Sequence, residues 1–437
     1  MEWSETYSVK ELVKIGVLER PIDGNHGSYH PTATDYVSKG IPFVMASDLK
    51  NGVIDYENCK FITHERAKKL QKGFAKKNDI LLTHKATIGR TAIVKELSDS
   101  DFIMLTPQVT YYRVKDYNRL NNQFLRYYFE SQKFQEILSQ WAGAGSTRAY
   151  IGITNQLDLP IFIPPLSKQK RIAHILGSLD DKIEINRKMN ETLEQMALAL
   201  FKSWFVDFDP VHAKAAGKKP FGMDDATAAL FPDSFEESEL GLIPKGWRLF
   251  SLYEIAEWQN GMTFKDSHFT PAGYPIIKIA ELKNGITNQT KKSNKHHELK
   301  FCIDDGDILF SWSGSPDTSI DTFIWSKGIS WLNQHIFKVS PKKTSKNWMF
   351  FLLKCLKPVF IEIARNKQTT GLGHITVNDL KNMYFSIPDE NVLNRYEIKY
   401  GHLFKLVSNF LKENDSLFET RNLILPLLIH GNTGEVI

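Results

Sequence analysis

Apolar and polar positions along the chain alternate between two regimes. Short β-type runs broken by Gly, Asn and Asp occupy Ile41 to Met45, Ile80 to Thr83, Gln108 to Val114, Ile276 to Ile279, Ile308 to Trp312 and His335 to Val339. Shorter helical stretches lie between them, at Asn122 to Leu138 and Trp348 to Ala364. Two much longer helical patterns follow these mixed regions. The first begins after Pro164-Pro165 with Ser167 as its N-cap and runs to about Val206. Its seam is read through Ile172, Ile175, Leu179, Met189, Leu193, Met196 and Leu200, with Lys182 and Asn186 filling the two positions between Leu179 and Met189. The second begins after Pro388 and is expected to stop near Pro426. Tyr396, Tyr400, Leu403, Val407, Phe410, Leu417 and Ile424 form its seam, with Asn414 and Arg421 between them. A helix of about 40 residues is about 60 Å long, longer than a domain of about 150 residues is wide. Part of each must reach past its own module, and the simplest arrangement pairs the two helices.

The same landmarks occur twice in the same order, which makes the chain two copies of one module. Gly40-Ile41-Pro42 and Ser47-Asp48-Leu49-Lys50-Asn51-Gly52-Val53 match Gly273-Tyr274-Pro275 and Ala280-Glu281-Leu282-Lys283-Asn284-Gly285-Ile286, with Asp48 and Glu281 233 positions apart. Asn78-Asp79-Ile80-Leu81-Leu82-Thr83 matches Gly306-Asp307-Ile308-Leu309-Phe310-Ser311 at an offset of 228, and Leu157 and Pro165 match Leu380 and Pro388 at 223. Between the copies, Val211 to Gly246 has a small, basic start and then six acids and no base over residues 221 to 240. It is expected to be a solvated tether.

Composition narrows the class. Over 437 residues, 42% hydrophobic and 24% charged, the chain has too much core-forming material for a disordered protein. The start Met1-Glu2-Trp3-Ser4-Glu5 lacks the basic and apolar regions of a secretory signal, and the longest clear apolar run, Leu423 to Ile429, is interrupted by Pro426. A cytoplasmic protein with no membrane partner is expected. Cys59, Cys302 and Cys355 form no CxxC pair, so neither a disulfide framework nor a zinc knuckle is indicated.

Several segments resemble a known family. Pro164-Pro165-Leu166-Ser167-Lys168-Gln169-Lys170-Arg171-Ile172-Ala173, Leu179-Asp180-Asp181-Lys182-Ile183-Glu184, Asn190-Glu191-Thr192-Leu193-Glu194 and Leu200-Phe201-Lys202-Ser203-Trp204-Phe205-Val206-Asp207-Phe208-Asp209-Pro210 resemble the central region of type I restriction-modification specificity subunits. Gly241-Leu242-Ile243-Pro244-Lys245-Gly246-Trp247 resembles the entry to that family's second half, and Leu332-Asn333-Gln334-His335-Ile336-Phe337 a common second-domain strand. The second helix departs from the first, carrying Arg421-Asn422-Leu423-Ile424 instead of a Lys-Ser-Trp-Phe motif.

The resemblance implies an α+β fold class: two repeated mixed α/β target recognition domains separated by two long antiparallel coiled-coil helices. The expected parts are a first domain over 1–163, a spacer helix over 164–210, the linker over 211–246, a second domain over 247–387 and a second spacer helix over 388–428. It further implies a non-catalytic subunit that reads a split, asymmetric site in double-stranded DNA. Two methyltransferase subunits would dock on the helices, and restriction/translocase subunits would join the complex. No cofactor is expected on this chain; S-adenosylmethionine, ATP and Mg²⁺ would belong to the partner subunits. The alternative is a coiled-coil scaffold that assembles other subunits and binds no DNA.

The search for chemistry agrees with a non-catalytic chain. No Walker A string occurs, and the one Pro-Pro pair, Pro164-Pro165, follows Ile163 and so builds no Asp/Asn-Pro-Pro-aromatic methyltransferase loop. Asp389, Glu397 and Lys399 form only a loose acid, Glu-x-Lys pattern, and His26 and His30 share metal-pair spacing within a Gly- and Pro-rich loop. No metal site is expected.

The net charge of +5 conceals two basic windows, residues 61 to 90 and 341 to 370, each with net charge +6. The candidate DNA contacts are Lys68, Lys69, Lys72, Lys85, Arg90, Arg148 and Tyr150 in the first module. In the second they are Trp312, Ser313, Gln334, His335, Lys342, Lys343, Gln368 and Thr369. Phe201, Trp204, Phe205 and Phe208 either cap the helix pair or anchor a partner subunit, and both roles can hold.

Overall fold

The computed structural model describes residues 5–95, 97, 100–143, 149–287, 289–368 and 371–430. The chain forms two compact units, one of residues 1–182 with 417–437 and one of residues 183–416.

In the first unit, Glu5–Ser8 pairs antiparallel with Pro160–Ile163. Ser8 then caps a short helix through a capping box: its backbone N–H donates to Glu11 Oε2 at 2.7 Å, and its hydroxyl accepts from the Glu11 backbone at 3.2 Å. A four-stranded antiparallel sheet runs in the order Thr87–Ile93, Ile80–Lys85, Val109–Tyr112, Ile22–Asp23. A second sheet orders Tyr36–Val37, Lys60–Ile62, Ile41–Val44, Ile103–Leu105 and Phe74–Ala75, with Ile41–Val44 and Ile103–Leu105 parallel. The expected helical stretch after Asn122 is two helices, Asn122–Glu130 and Gln132–Trp141, parted at Ser131, whose hydroxyl donates to Tyr128 O at 2.6 Å.

The second unit repeats this plan. Arg248–Ser251 pairs with Tyr384–Ile387, and Ser251 makes the same capping box with Glu254. Its four-stranded antiparallel sheet is Asp321–Ile324, Ile308–Ser311, Ile336–Pro341, Ala256–Asn260. A second sheet orders Lys292–Ser293, Tyr274–Ile277, Ser330–Leu332 and Cys302–Ile303, with the middle two strands parallel. Helices Lys346–Cys355 and Lys357–Asn366 follow, the second started by Pro358, which the first helical turn accommodates without loss of a hydrogen bond.

The two long helices are Leu166–Phe205 and Glu390–His430. Within the second unit they run antiparallel: Asn186 meets Asn414, while Trp204 packs on Tyr396 and Tyr400 at ring separations of 5.7 and 5.4 Å. The seam differs from the expected one. Met189 and Met196 are exposed, as is Lys182, and the buried line runs through Leu176, Asn186, Asn190, Leu193, Ala197 and Phe201. Asn186 and Leu193 lie on it as expected, while Asn190 and Ala197 are buried in place of Met189 and Met196. Asn186 Nδ2 donates to Asn414 Oδ1 at 3.0 Å and to Glu413 at 2.8 Å, so the polar position is satisfied rather than solvated.

The second long helix also passes through Pro426 to His430. Proline removes one backbone donor there, but Leu425 and Ile429 are buried in the first unit's core and hold the turn in place.

The segment expected as a solvated tether is folded. Helices Asp209–Ala215 and Asp225–Ala228 and the antiparallel pair Phe235–Ser238 with Gly241–Pro244 lie within 211–246 or begin just before it. Val211, Met223, Ala228 and Phe231 enter the second unit's core. Its apolar residues follow no helical or strand period, so its acidity dominated the sequence pattern. Asp224 caps the second of these helices and pairs with Lys399 at 2.5 Å; the Lys399 hydrogen bond, with those from Thr227, holds its carboxyl well below the usual range.

Candidate nucleic-acid interface

The equivalent strands Ile80–Lys85 and Ile308–Ser311 end in the same backbone arrangement. In the first unit, the His84 N–H donates to Gln108 O at 3.0 Å, the Ile151 N–H donates to His84 O at 3.0 Å, and Lys85 bridges Tyr150. In the second, the Trp312 N–H donates to His335 O at 3.3 Å, the Ile375 N–H donates to Trp312 O at 2.8 Å, and Ser313 pairs with His374. The next residue turns left-handed in both, Ala86 at φ 65° and Gly314 at φ 123°. The turn is easy for glycine and strained for alanine.

In the first module this brings Lys85 and Tyr150 together. Both are exposed, with Lys85 Nζ 6.0 Å from the ring centroid. His84 is buried beneath them, its ring 5.7 Å from that of Tyr150 and its Nδ1 3.0 Å from Ile151 O. Burial pushes the His84 pKa down, which favours neutral imidazole with Nδ1 as donor. Arg90 is also exposed, where the register between the two hairpin strands shifts between Ile88 and Thr91, and its backbone N–H donates to Thr83 Oγ1 at 2.9 Å. Lys68 and Lys69 sit at the end of helix His64–Lys68, exposed and without an ion pair among the described residues. Lys72 is not free, because it pairs with Asp23, which also contacts His26 at 2.7 Å. Burial alone would raise the Asp23 pKa, but its bonds to Lys72 and His26 outweigh that and leave it below the usual carboxylate value. Arg148 lies outside the described residues.

In the second module Trp312, Ser313, Gln334 and His335 come together. The rings of Trp312 and His335 are 5.6 Å apart, Trp312 Nε1 donates to Asn260 Oδ1 at 3.1 Å, and Gln334 Nε2 is 3.1 Å from His335 Nε2. Gln368 is exposed just after helix Lys357–Asn366, on the segment returning to Gly373–His374, and Thr369 lies outside the described residues. Lys342 and Lys343 do not join this group. They follow Pro341 at the far end of a strand that begins beside His335, about 20 Å away at 3.3 Å per residue.

Two residues absent from the candidates occupy the same frame: Gln108, the counterpart of His335, and His374, the counterpart of Tyr150. The repeat offset carried the signal, since Gln108 and His335 are 227 positions apart and Tyr150 and His374 are 224 apart, both within the drift from 233 to 223.

The second basic window is largely neutralised. Lys354 meets Glu194 at 2.9 Å and Asp321 at 3.3 Å, Lys357 meets Asp321 at 2.6 Å, Arg365 pairs with Asp317, and Lys367 pairs with Asp379. Residues in the loose nuclease pattern have structural partners: Asp389 caps its helix through Asn391 N at 2.8 Å, Glu397 accepts from Ser345 Oγ at 2.6 Å, and Lys399 holds Asp224. Among the described residues no group of three His, Cys, Asp or Glu side chains is placed to hold a metal ion, and no helix is long and apolar enough to cross a membrane.

Phe201, Trp204 and Phe205 are buried in the chain's own core against Trp348, Tyr396 and Phe231, and Phe208 is half-buried between Phe235 and Trp247. They cap the helix pair. Packing within the chain leaves little of the Phe201, Trp204 and Phe205 rings accessible, while Phe208 keeps part of its surface exposed.

The family described as the type I restriction modification DNA specificity domain matches residues 1–195 and 244–393. The MjaIX type I restriction enzyme specificity subunit of Methanocaldococcus jannaschii is 25% identical over 406 residues, 91% of this chain and 88% of that protein. The HindI specificity subunit of Haemophilus influenzae is 27% identical over 321 residues, 62% of this chain and 69% of that one. A crystal structure of a type I restriction-modification S subunit from M. genitalium aligns over 98% of this chain and 96% of its own, with 16% identity and a TM-score of 0.49.

Proposed function

Because this chain belongs to the type I restriction modification DNA specificity family, we propose that it is the DNA-reading subunit of a type I restriction-modification complex. Each module reads one half of a split site in double-stranded DNA. The observation that carries this reading is the duplication itself: two modules of one topology present the same strand-end frame with different side chains. Matching backbone hydrogen bonds with different side-chain chemistry suit a site whose halves differ in sequence.

The chain has no catalysis of its own. Methyltransferase subunits and restriction/translocase subunits carry it out with S-adenosylmethionine, ATP and Mg²⁺, in the cytoplasm where the DNA lies. Lys68 and Lys69 contact phosphates and contribute affinity without sequence preference. A scaffold that binds no DNA is favoured by one observation, the ion-paired state of the second basic window. Anisotropy titration of the chain with its methyltransferase, on genomic and random duplexes at two salt concentrations, separates the two readings. Binding that weakens steeply with salt supports DNA reading; absent or salt-insensitive binding supports the scaffold.

A further inference from the structure

We infer that base discrimination rests on two matched triads, Lys85, Gln108 and Tyr150 in the first module and Ser313, His335 and His374 in the second. This deepens the DNA-reading function proposed above and rests on it. At each site a strand end meets the residue that opens the neighbouring strand and a third segment through the same backbone hydrogen bonds, with Tyr150 joined by an isolated bridge to Lys85 and His374 by a two-residue ladder to Ser313, so backbone pairing positions each triad. Each presents side chains with exposed or half-buried surface.

Each triad also has a floor. His84 is bound at Nδ1 to Ile151 O, while its buried Nε2 has no hydrogen-bond partner among the described residues. Trp312 is fixed by Asn260. The His84 and Trp312 rings lie 5.7 Å from Tyr150 and 5.6 Å from His335, respectively. The residue after each tip has positive φ, but only Ala86 turns the chain straight back; Gly314 pairs with Gly373, and the chain returns through helix Pro316–Ser319.

The side chains differ at every matched position, and their chemistry sets what each module reads. Lys85 suits guanine O6 and N7, Gln108 can bond adenine N6 and N7 together, and Tyr150 offers a hydroxyl with an apolar ring. The second triad contains no lysine, arginine or amide, so it reads through single imidazole and hydroxyl contacts. The first module is therefore assigned a half-site containing guanine and adenine, and the second a half-site read without a bidentate contact from its triad.

The test is selection and sequencing of duplexes bound by the full chain with its methyltransferase. Wild type is compared with Lys85→Ala, Gln108→Ala, Tyr150→Phe, Ser313→Ala, His335→Ala and His374→Ala, with thermal melting as a folding control and Gln108→Asn as the second variant at the half-buried position. The first three should broaden one half of the motif, by about 10-fold or more in discrimination at one base, and the last three only the other half. A motif unchanged in all the variants, or broadened in both halves by one variant, would overturn the triads while leaving DNA reading intact. Failure of the wild-type complex to select any motif would overturn the underlying function.

Discussion

Arg421 Nε lies 2.8 Å from Asp180 Oδ1, and its Nη2 meets Glu130, at a place where the guanidinium is almost fully buried. Arg126 completes the group, 2.6 Å from Asp180 and 3.0 Å from Glu130, and the Tyr127 hydroxyl donates to Asp180 at 2.7 Å. Two cations and two anions thus bind the second long helix to the first long helix and to helix Asn122–Glu130 inside the first unit. Such a balanced cluster contributes little net stability, but removing one member leaves an uncompensated buried charge. Arg421→Met should destabilise the first unit by about 3 to 5 kcal/mol. Hydrogen exchange at Phe124 and Leu176 against denaturant measures this; unchanged protection contradicts it.

The strained tip of the first hairpin gives a substitution with a favourable sign. Ala86 at φ 65° should gain about 1 kcal/mol on conversion to glycine, because the left-handed conformation costs an L-residue more than glycine's extra chain entropy. Gly314→Ala should have the opposite effect, since an added Cβ would stand 2.6 Å from Ser319 Cβ. Equilibrium urea unfolding of both variants checks the pair of signs.

Asp321 supplies a pH dependence. Its burial pushes the carboxyl pKa up, but Lys354 and Lys357 pull it further down, so in the folded chain it sits below its ordinary value of 3.8. A depressed carboxylate pKa stabilises the fold above the unfolded-state value, and that contribution fades as pH falls through the folded one. Asp321→Asn should therefore lower Tm at pH 7, and the gap to wild type should close below a pH of about 4. A gap that persists or widens in acid contradicts the assignment.

Lys68→Ala and Lys69→Ala should each weaken DNA binding similarly across sequences and reduce the slope of log affinity against log salt by about 1. The measurement is the titration at several salt concentrations, and a sequence-dependent loss contradicts a phosphate role.

Much of this architecture was legible because it is written twice. Asp48 against Glu281 and Asp79 against Asp307 register the modules in the sequence alone, and runs such as Ile80 to Thr83 and Ile308 to Ser311 fall on the central sheets. On the long helices Asn186, Leu193, Tyr396, Leu403, Val407 and Arg421 were legible as seam residues, but Asn190 and Ala197 are buried in place of Met189 and Met196, because a small or polar side chain gives no apolar signal of its own burial. Pro426 misled for a related reason: local propensity opposes the helix there, and tertiary burial of Leu425 and Ile429 prevails. Charge misled at the site. The count over residues 341 to 370 cannot show that Lys354, Lys357, Arg365 and Lys367 are paired, whereas Gln108 and His374 carry no formal charge to draw attention and stand out only through the repeat offset that matches them to His335 and Tyr150.

The most direct measurement of DNA reading by this chain is a map of methylated bases in the host genome by long-read sequencing, with and without its gene. The expected result is one split motif with two different halves, methylated only when the gene is present. A methylation pattern that is unchanged when the gene is removed would contradict the assignment.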